Sequence, residues 1–225
     1  AITDKRTVLI TGGTKGIGKE ISQIFDDRNW DVWVTSRYIE DKQFGKNIKF
    51  VQVDLTDDAS VTAAINKIYK NSGRLDVVVN NAGYGLLGAG ESATIEQIKN
   101  QFDVNFYGAI RVIQAVLPIM RQQRSGHIIN VSSTSGVRAV PGLGFYAASK
   151  MALEGFSEAL SAELSPWNIK VSIIQPATVN NTWVNNCVIG EKQIADKYKN
   201  LSVNLRKTLL ERTKAGQEQS EIGNI

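Results

Sequence analysis

Tyr146 and Lys150 stand four residues apart in YAASK, thirteen residues after Ser133 of NVSS. Helical residues at that spacing share a face, so the ammonium is expected beside the phenol. A free phenol titrates near 10, too high for easy proton loss near neutrality. A cation about 4 Å away, at an effective dielectric of about 20, favours phenolate by roughly 4 kcal/mol, or about three pKa units. Desolvation of the lysine subtracts from that gain. A tyrosine so tuned suits general acid–base catalysis, and a nearby serine hydroxyl would hold the oxygen that exchanges the proton. A packed tyrosine, a solvated lysine and a capping serine would look the same if nothing else in the chain supported the chemistry.

The second chemical feature is TGGTKGIG, with Gly12, Gly16 and Gly18 spaced as T-G-x-x-x-G-x-G. Gly12 permits a tight turn off a strand, Gly16 lets backbone approach a phosphate, and Gly18 allows close packing of helix on strand. The helix N-terminus behind them offers free N–H groups to an anion. The spacing is not that of a triphosphate-binding loop, which needs G-x-x-x-x-G-K-[ST]. An acid ending the second strand would bond a ribose 2′-hydroxyl and favour NAD. That strand instead ends in VTSR, with Ser36 and Arg37, and Lys15 lies within the glycine loop. Two cations there suit a 2′-phosphate, so NADP(H) is expected over NAD(H).

These residues need a frame, and the chain provides a repeating one. Apolar runs TVLIT (7–11), DVWVTS (31–36), IKFVQVD (48–54), DVVVNNAG (76–83), GHIINVSS (126–133) and IKVSIIQP (169–176) read as strands. Helical patterns fill the gaps: 16–28, 58–71, a long helix over 95–120 kinked or ended by Pro118, and 146–164. From about Gly190 the pattern is helical, with Ile194, Tyr198, Leu201 and Leu205 in register, as a cover for the sheet or a lid over a pocket. Continuous apolar strands imply burial on both faces, and strand–helix alternation implies a parallel sheet with right-handed crossovers. The expectation is a single doubly wound α/β domain over 1–225, with about 177–225 as substrate loop, lid and C-terminal helical region.

Bulk properties remove other classes. One cysteine, Cys187, excludes an intrachain disulfide and suits a reducing compartment. One histidine, His127, argues against a zinc site and a serine-protease mechanism, and no G-x-S-x-G elbow exists. The net charge of +4 comes without a run of five Lys or Arg, so no nucleic-acid partner is expected. No long apolar run precedes the first glycines, so neither signal peptide nor membrane span is expected, and the location expected is cytoplasmic.

The glycine loop, NNAG at Asn80–Gly83, the serine of NVSS, and YAASK together resemble the short-chain dehydrogenase/reductase family, in order and spacing, from about Thr7 to Pro176. NNAGYGLLGAGE, VNFYGAIRV and PGLGFYAASKMALEGFSEAL are most similar to the branch holding 17β-hydroxysteroid, retinol-type and many bacterial dehydrogenases. The resemblance implies a Rossmann-type fold and a catalytic set of Asn105, Ser133, Tyr146 and Lys150. It implies cofactor contacts at Gly12, Thr14, Lys15, Gly16, Ile17, Gly18, Ser36, Arg37, Asp54, Leu55, Asn81, Ala82 and Gly83, at Tyr146 and Lys150 again, and at Pro176, Val179 and Thr182. Tyr146 would exchange a proton with a carbonyl or secondary alcohol as hydride passes to or from nicotinamide, and Asn105 would connect Lys150 to water. The family's P-G-x-V-x-T is here PATVNNTW, with Ala177 for glycine and Asn181 at the threonine position. Relatives continue into a seventh strand, whereas this sequence ends at SEIGNI. Leu86, Leu87, Val140, Leu143, Phe145 and Trp183 are candidates for an apolar substrate pocket or for core. Phe156, Leu160 and Leu164 repeat along one long helix, and the 95–120 helix has surplus apolar positions, so a homodimer or homotetramer is expected. The rival functions are an NADPH-binding regulator without turnover and an epimerase or dehydratase on the same scaffold.

Overall fold

The computed structural model describes residues 4–37, 45–177, 183–193, 196–198 and 200–215. Strand β1 (Thr7–Ile10) passes through the glycine turn into α1 (Gly16–Asp27), and β2 (Asp31–Ser36) follows. Next come β3 (Ile48–Gln52), α2 (Asp58–Ser72) and β4 (Val77–Asn80). A two-residue strand β5 (Leu86–Leu87) precedes α3 (Ile95–Phe102) and α4 (Gly108–Gln123). Then come β6 (Gly126–Val131), α5 (Gly144–Leu164), β7 (Ile169–Ile174), β8 (Val188–Ile189) and α6 (Leu201–Ala215).

Six strands form one parallel sheet in the order β3-β2-β1-β4-β6-β7, the doubly wound α/β class expected. Successive residues of each strand are buried on opposite faces. Leu9, Trp33, Val78 and Ile128 pack with Ile65 and Ile68 of α2, Ile113 and Met120 of α4, and Leu160 of α5. Val8, Ile10, Val32 and Val34 pack against Ile17, Ile21 and Phe25 of α1. Burial of both faces is why these strands carry continuous apolar runs. Helix starts follow local chemistry: Asp57 caps α2 by accepting from the Ala59 N–H, and Thr94 with Gln97 forms a capping box at α3.

Three expectations change. The long helix expected over 95–120 carries a π turn around Asn105, and Pro118 does not end it. Residues Asp103–Tyr107 form a π-helical turn, where the Gly108 N–H donates to the Asp103 carbonyl five residues back. Pro118 sits inside α4, which continues to Gln123. Second, among the described residues after 190 only the short turn Asp196–Tyr198 is helical before α6 begins at Leu201, and Ile194 lies outside the described residues. Backbone bonds from Val188 N to Gly85 O (2.8 Å), Gly190 N to Leu87 O (2.9 Å) and Lys192 N to Ser92 O (2.8 Å) hold the start of that segment extended beside β5. Among the described residues the large sheet ends at β7, and β8 pairs with β5 in a separate two-stranded sheet. Third, Leu160 and Leu164 are core residues, and Phe156 packs against the same cluster. Their repeat serves the monomer's interior, while Ile95, Tyr107 and Met151 are the apolar side chains left exposed on α3, the π turn and α5.

Candidate active site

The strand order reverses between β1 and β4, and such sheets open a ligand crevice beyond their carboxyl ends at that point. The two strand ends are stapled there. The Thr11 hydroxyl oxygen accepts from the N–H groups of Asn81 (3.0 Å) and Ala82 (3.1 Å). The Asn81 amide donates back to the carbonyls of Thr11 and Gly12, each at 3.1 Å. Gly12 turns with φ of +63°, in the left-handed region. A Cβ at Gly18 would stand 2.4 Å from the Gly12 carbonyl oxygen and from the Asn81 amide nitrogen, so only glycine lets α1 seat this closely on the turn.

A cleft of about 670 Å³ opens over this turn. Gly12, Thr14, Lys15, Gly16, Ile17, Ser36, Arg37, Asp54, Leu55, Asn81, Ala82 and Gly83 line it, and Gly18 lies buried beneath. Asp54 accepts from the Thr56 N–H (2.9 Å) and hydroxyl (2.7 Å). Those bonds, aided by the charges of Arg37 and Arg111, hold its carboxyl below the usual range. Lys15 is the N-cap residue of α1 and makes no side-chain cap bond, so the first N–H groups of the helix face the cleft without a side-chain acceptor from that position.

A second cavity of about 310 Å³ adjoins the first and shares Ile17, Asn81, Gly83 and Trp183 with it. Ser133, Tyr146, Lys150 and Pro176 line it, so the structure brings the predicted serine, tyrosine and lysine to one wall. Val140, Leu143 and Trp183 of the apolar candidates also line it. Leu86 and Leu87 are fully buried as core of the small sheet, and Phe145 is not part of the wall. Val179 and Thr182 lie outside the described residues.

Each polar group has a definite setting. Ser133 caps the short turn Thr134–Gly136 by accepting from the Ser135 N–H at 3.1 Å. Tyr146 is in the first turn of α5, and its ring meets the Trp183 ring at 5.0 Å between centroids. Burial pushes the phenol up to about 12, with hydrogen bonding to Ser133 pulling down and Cys187 pushing further up. Lys150 donates to the Val131 carbonyl at the end of β6 (2.8 Å), and its nitrogen lies 5.9 Å from the Tyr146 ring centroid. Burial pulls the ammonium down to about 8, opposed by the charge of Glu154 one turn along. The phenol therefore moves opposite to the direction expected from the i,i+4 spacing. Both groups are nearly excluded from water, and desolvation is the largest cause of each shift.

Asn105 occupies the π turn. Its side-chain carbonyl accepts from the Tyr84 N–H (3.0 Å), and its amide donates to the Tyr84 carbonyl (2.9 Å) and the Ser149 hydroxyl (3.1 Å). Ser149 in turn donates to the Tyr146 carbonyl at 2.7 Å. A Cβ at Gly83 would contact both Asn105 and Lys150, which places the asparagine and the ammonium around one point of backbone.

Sequence reasoning missed Thr11, Ser149 and the buried chain in which Asn80 donates to Asn130, and Asn130 to Ser157, each at 2.8 Å. The available signal was polar residues inside otherwise apolar strands and helix faces. His127 is structural: its ring nitrogen bonds Ser172 across β6 and β7 at 2.8 Å.

An open parallel sheet with a glycine turn at its switch point defines a nucleotide-binding α/β protein. The short chain dehydrogenase family model matches residues 6–191. The chain is 44% identical over 184 residues to a 3-ketodihydrosphingosine reductase of Bacteroides thetaiotaomicron, covering 82% of this chain and 68% of that protein. It is 40% identical over 186 residues to retinol dehydrogenase 8 of Bos taurus, covering 77% of this chain and 59% of that one, so it spans less than two thirds of that enzyme. Among solved structures, ElxO with NADP bound superposes with a TM-score of 0.81 at 27% identity, over 98% of this chain and 89% of that one. A short-chain dehydrogenase/reductase from Burkholderia phymatum in complex with NAD shares the fold, with a TM-score of 0.86 at 20% identity, over 98% of this chain and 84% of that one. The chain belongs to the short-chain dehydrogenase/reductase family, oxidoreductases that bind a nicotinamide cofactor.

Proposed function

We propose that the protein is an NADP(H)-dependent oxidoreductase that interconverts a small-molecule carbonyl and its secondary alcohol, with Tyr146 as general acid–base. The observation that carries this reading is Ser133, Tyr146 and Lys150 on one cavity wall, continuous with the cleft over the glycine turn. The cleft fits a dinucleotide: Gly12 and Gly16, both in the left-handed region, line it without side chains, and α1 opens onto it. Bound there, nicotinamide would supply or accept the hydride.

The chain's own groups then divide the work. Ser133 and Tyr146 hold the substrate oxygen by hydrogen bonds. A phenol near 12 is protonated at neutral pH, the form that donates to a carbonyl oxygen as it gains negative charge. Lys150, charged below about 8, keeps positive potential beneath the phenol and can return the proton. Asn105 keeps Tyr84 and Ser149 in register around that lysine. Leu205, Thr208 and Leu209 of α6 line the second cavity, which supports residues 177–225 as the substrate-covering part of one catalytic domain.

The preference for NADP(H) rests on Lys15 and Arg37 at the cleft, with serine at position 36 where an acid would favour NAD. NADPH is expected to bind more tightly than NADH. Arg37→Ala should weaken NADPH about tenfold, the discounted worth of one exposed charge-assisted contact, and leave NADH nearly unchanged. Titration of both nucleotides into both proteins, with turnover of a ketone panel at 340 nm, tests this. Equal affinities in the unmodified protein would overturn the cofactor choice. Tight NADPH binding without turnover of any ketone would favour a sensor.

We also propose self-association as a dimer or tetramer, located in the cytoplasm. Exposed Ile95, Tyr107 and Met151 support the first, and no described helix is long and apolar enough to cross a membrane. Light scattering at micromolar concentration should give a multiple of 24.7 kDa, and a monomer mass would reject the assembly.

A further inference from the structure

We infer that the substrate carries an anionic oxo-acid group, and that Arg138 at the wall of the second cavity binds it. This rests on the carbonyl-reducing reading above and names the substrate class for the same site.

Two observations lead to it. The first is the balance of charge in the cavity. Its described lining includes two cations, Arg138 and Lys150, and no Asp or Glu, while most of the rest is apolar: Val140, Leu143, Val184, Leu205 and Leu209. Lys150 is buried and occupied with the Val131 carbonyl. Arg138 is exposed, and among the described residues its guanidinium has no carboxylate partner. An arginine fork beside apolar surface suits a carboxylate or phosphate at the end of an apolar stretch.

The second observation is placement. Ser133 and Arg138 lie on one turn of chain, in which the N–H groups of Val137 (3.2 Å) and Arg138 (3.0 Å) both donate to the Thr134 carbonyl. At a rise of roughly 1.5–2 Å per residue, five residues of such a turn span about 7–10 Å. The backbone positions of the two residues are therefore a short chain's length apart, and both line the cavity, with Val140 and Leu143 on the same loop. A ketone with an acid group a few carbons away meets both. A neutral ketone leaves the arginine in water, and an amino ketone meets two like charges.

The test uses ketones of equal length ending in methyl, carboxylate, phosphate ester or ammonium, with the full chain and NADPH. The unmodified protein should show kcat/KM for the two acids at least tenfold above the methyl ketone, and the ammonium compound lowest. Arg138→Met, which keeps an unbranched apolar stem, should abolish that preference and leave the methyl ketone within about twofold. The ratio of carboxylate to phosphate ester ranks the two acid sources. Equal kcat/KM for acids and methyl ketone, or a preference that survives Arg138→Met, overturns the proposal. A parallel binding arm needs no turnover: a saturated carboxylic acid and the alcohol of the same length compete for the cavity, read by quenching of Trp183 at its wall. Acid binding that is tighter and lost in Arg138→Met upholds the subsite even if no ketone is reduced, whereas equal binding of acid and alcohol rejects it while the oxidoreductase reading stands on turnover alone.

Discussion

Tyr146→Phe is expected to lower the single-turnover rate of carbonyl reduction by about 10²–10⁴-fold, the range for loss of a positioned acid. The substitution removes one oxygen and keeps the ring that packs with Leu87, Leu143, Val184 and Leu209 and against Trp183. The glycine turn is held by Thr11, Gly12 and Asn81, none of which contacts the phenol through a hydrogen bond. NADPH affinity should therefore change by no more than a few-fold, and the fold should persist. The measurement is stopped-flow reduction with saturating NADPH, paired with direct NADPH titration. A near-normal rate in a folded variant would show that the tyrosine is packing alone. Ser133 should matter less, because it holds the oxygen without supplying the proton.

Lys150→Met should separate activity from stability. The ammonium is buried and its pKa is pulled from 10.5 down to about 8. Below about 8 it is charged in both folded and unfolded chains, so the folded state bears the whole burial penalty. Between about 8 and 10.5 the folded lysine is neutral while the unfolded one still binds a proton, so stability rises with pH across that window. A shift of that size corresponds to about 3 kcal/mol, and the lost bond to the Val131 carbonyl offsets about 1–2 kcal/mol of it. The variant should thus be more stable than the parent at pH 7 by about 1–2 kcal/mol, with the advantage fading towards pH 10.5. Its activity should fall by at least 10²-fold. In the unmodified protein reduction should decline as pH rises through about 8, where Lys150 loses its charge, and that inflection should vanish in the variant. Denaturant melts at pH 7 and pH 10, with a pH–rate profile, check both arms. A destabilised variant at pH 7, or an unchanged inflection, would show that the buried charge does not have this role.

Patterns that depend on nearest neighbours along the chain were legible without coordinates. Apolar runs of strand length, helical spacing between them, and glycines at a turn that needs left-handed backbone all express local geometry. They placed the six main strands within two or three residues, and placed Gly12, Lys15, Arg37, Ser133, Tyr146 and Lys150 at the mouth of one sheet. Wherever a distant segment competes for a group, local pattern was not enough. The segment 95–120 is helical by every local measure, yet Asn105 satisfies its amide on Tyr84 and Ser149, and the helix opens into a π turn there. The stretch after 190 has helical spacing, but bonds to Gly85, Leu87 and Ser92 keep its start extended. The clearest case is the pair Tyr146 and Lys150. Spacing of four on a helix puts charge near phenol, and Coulomb attraction then lowers its pKa. Only the folded chain decides how much water is left around them, and burial of Tyr146 and Lys150 to 6% and 4% exposure turns the balance towards desolvation.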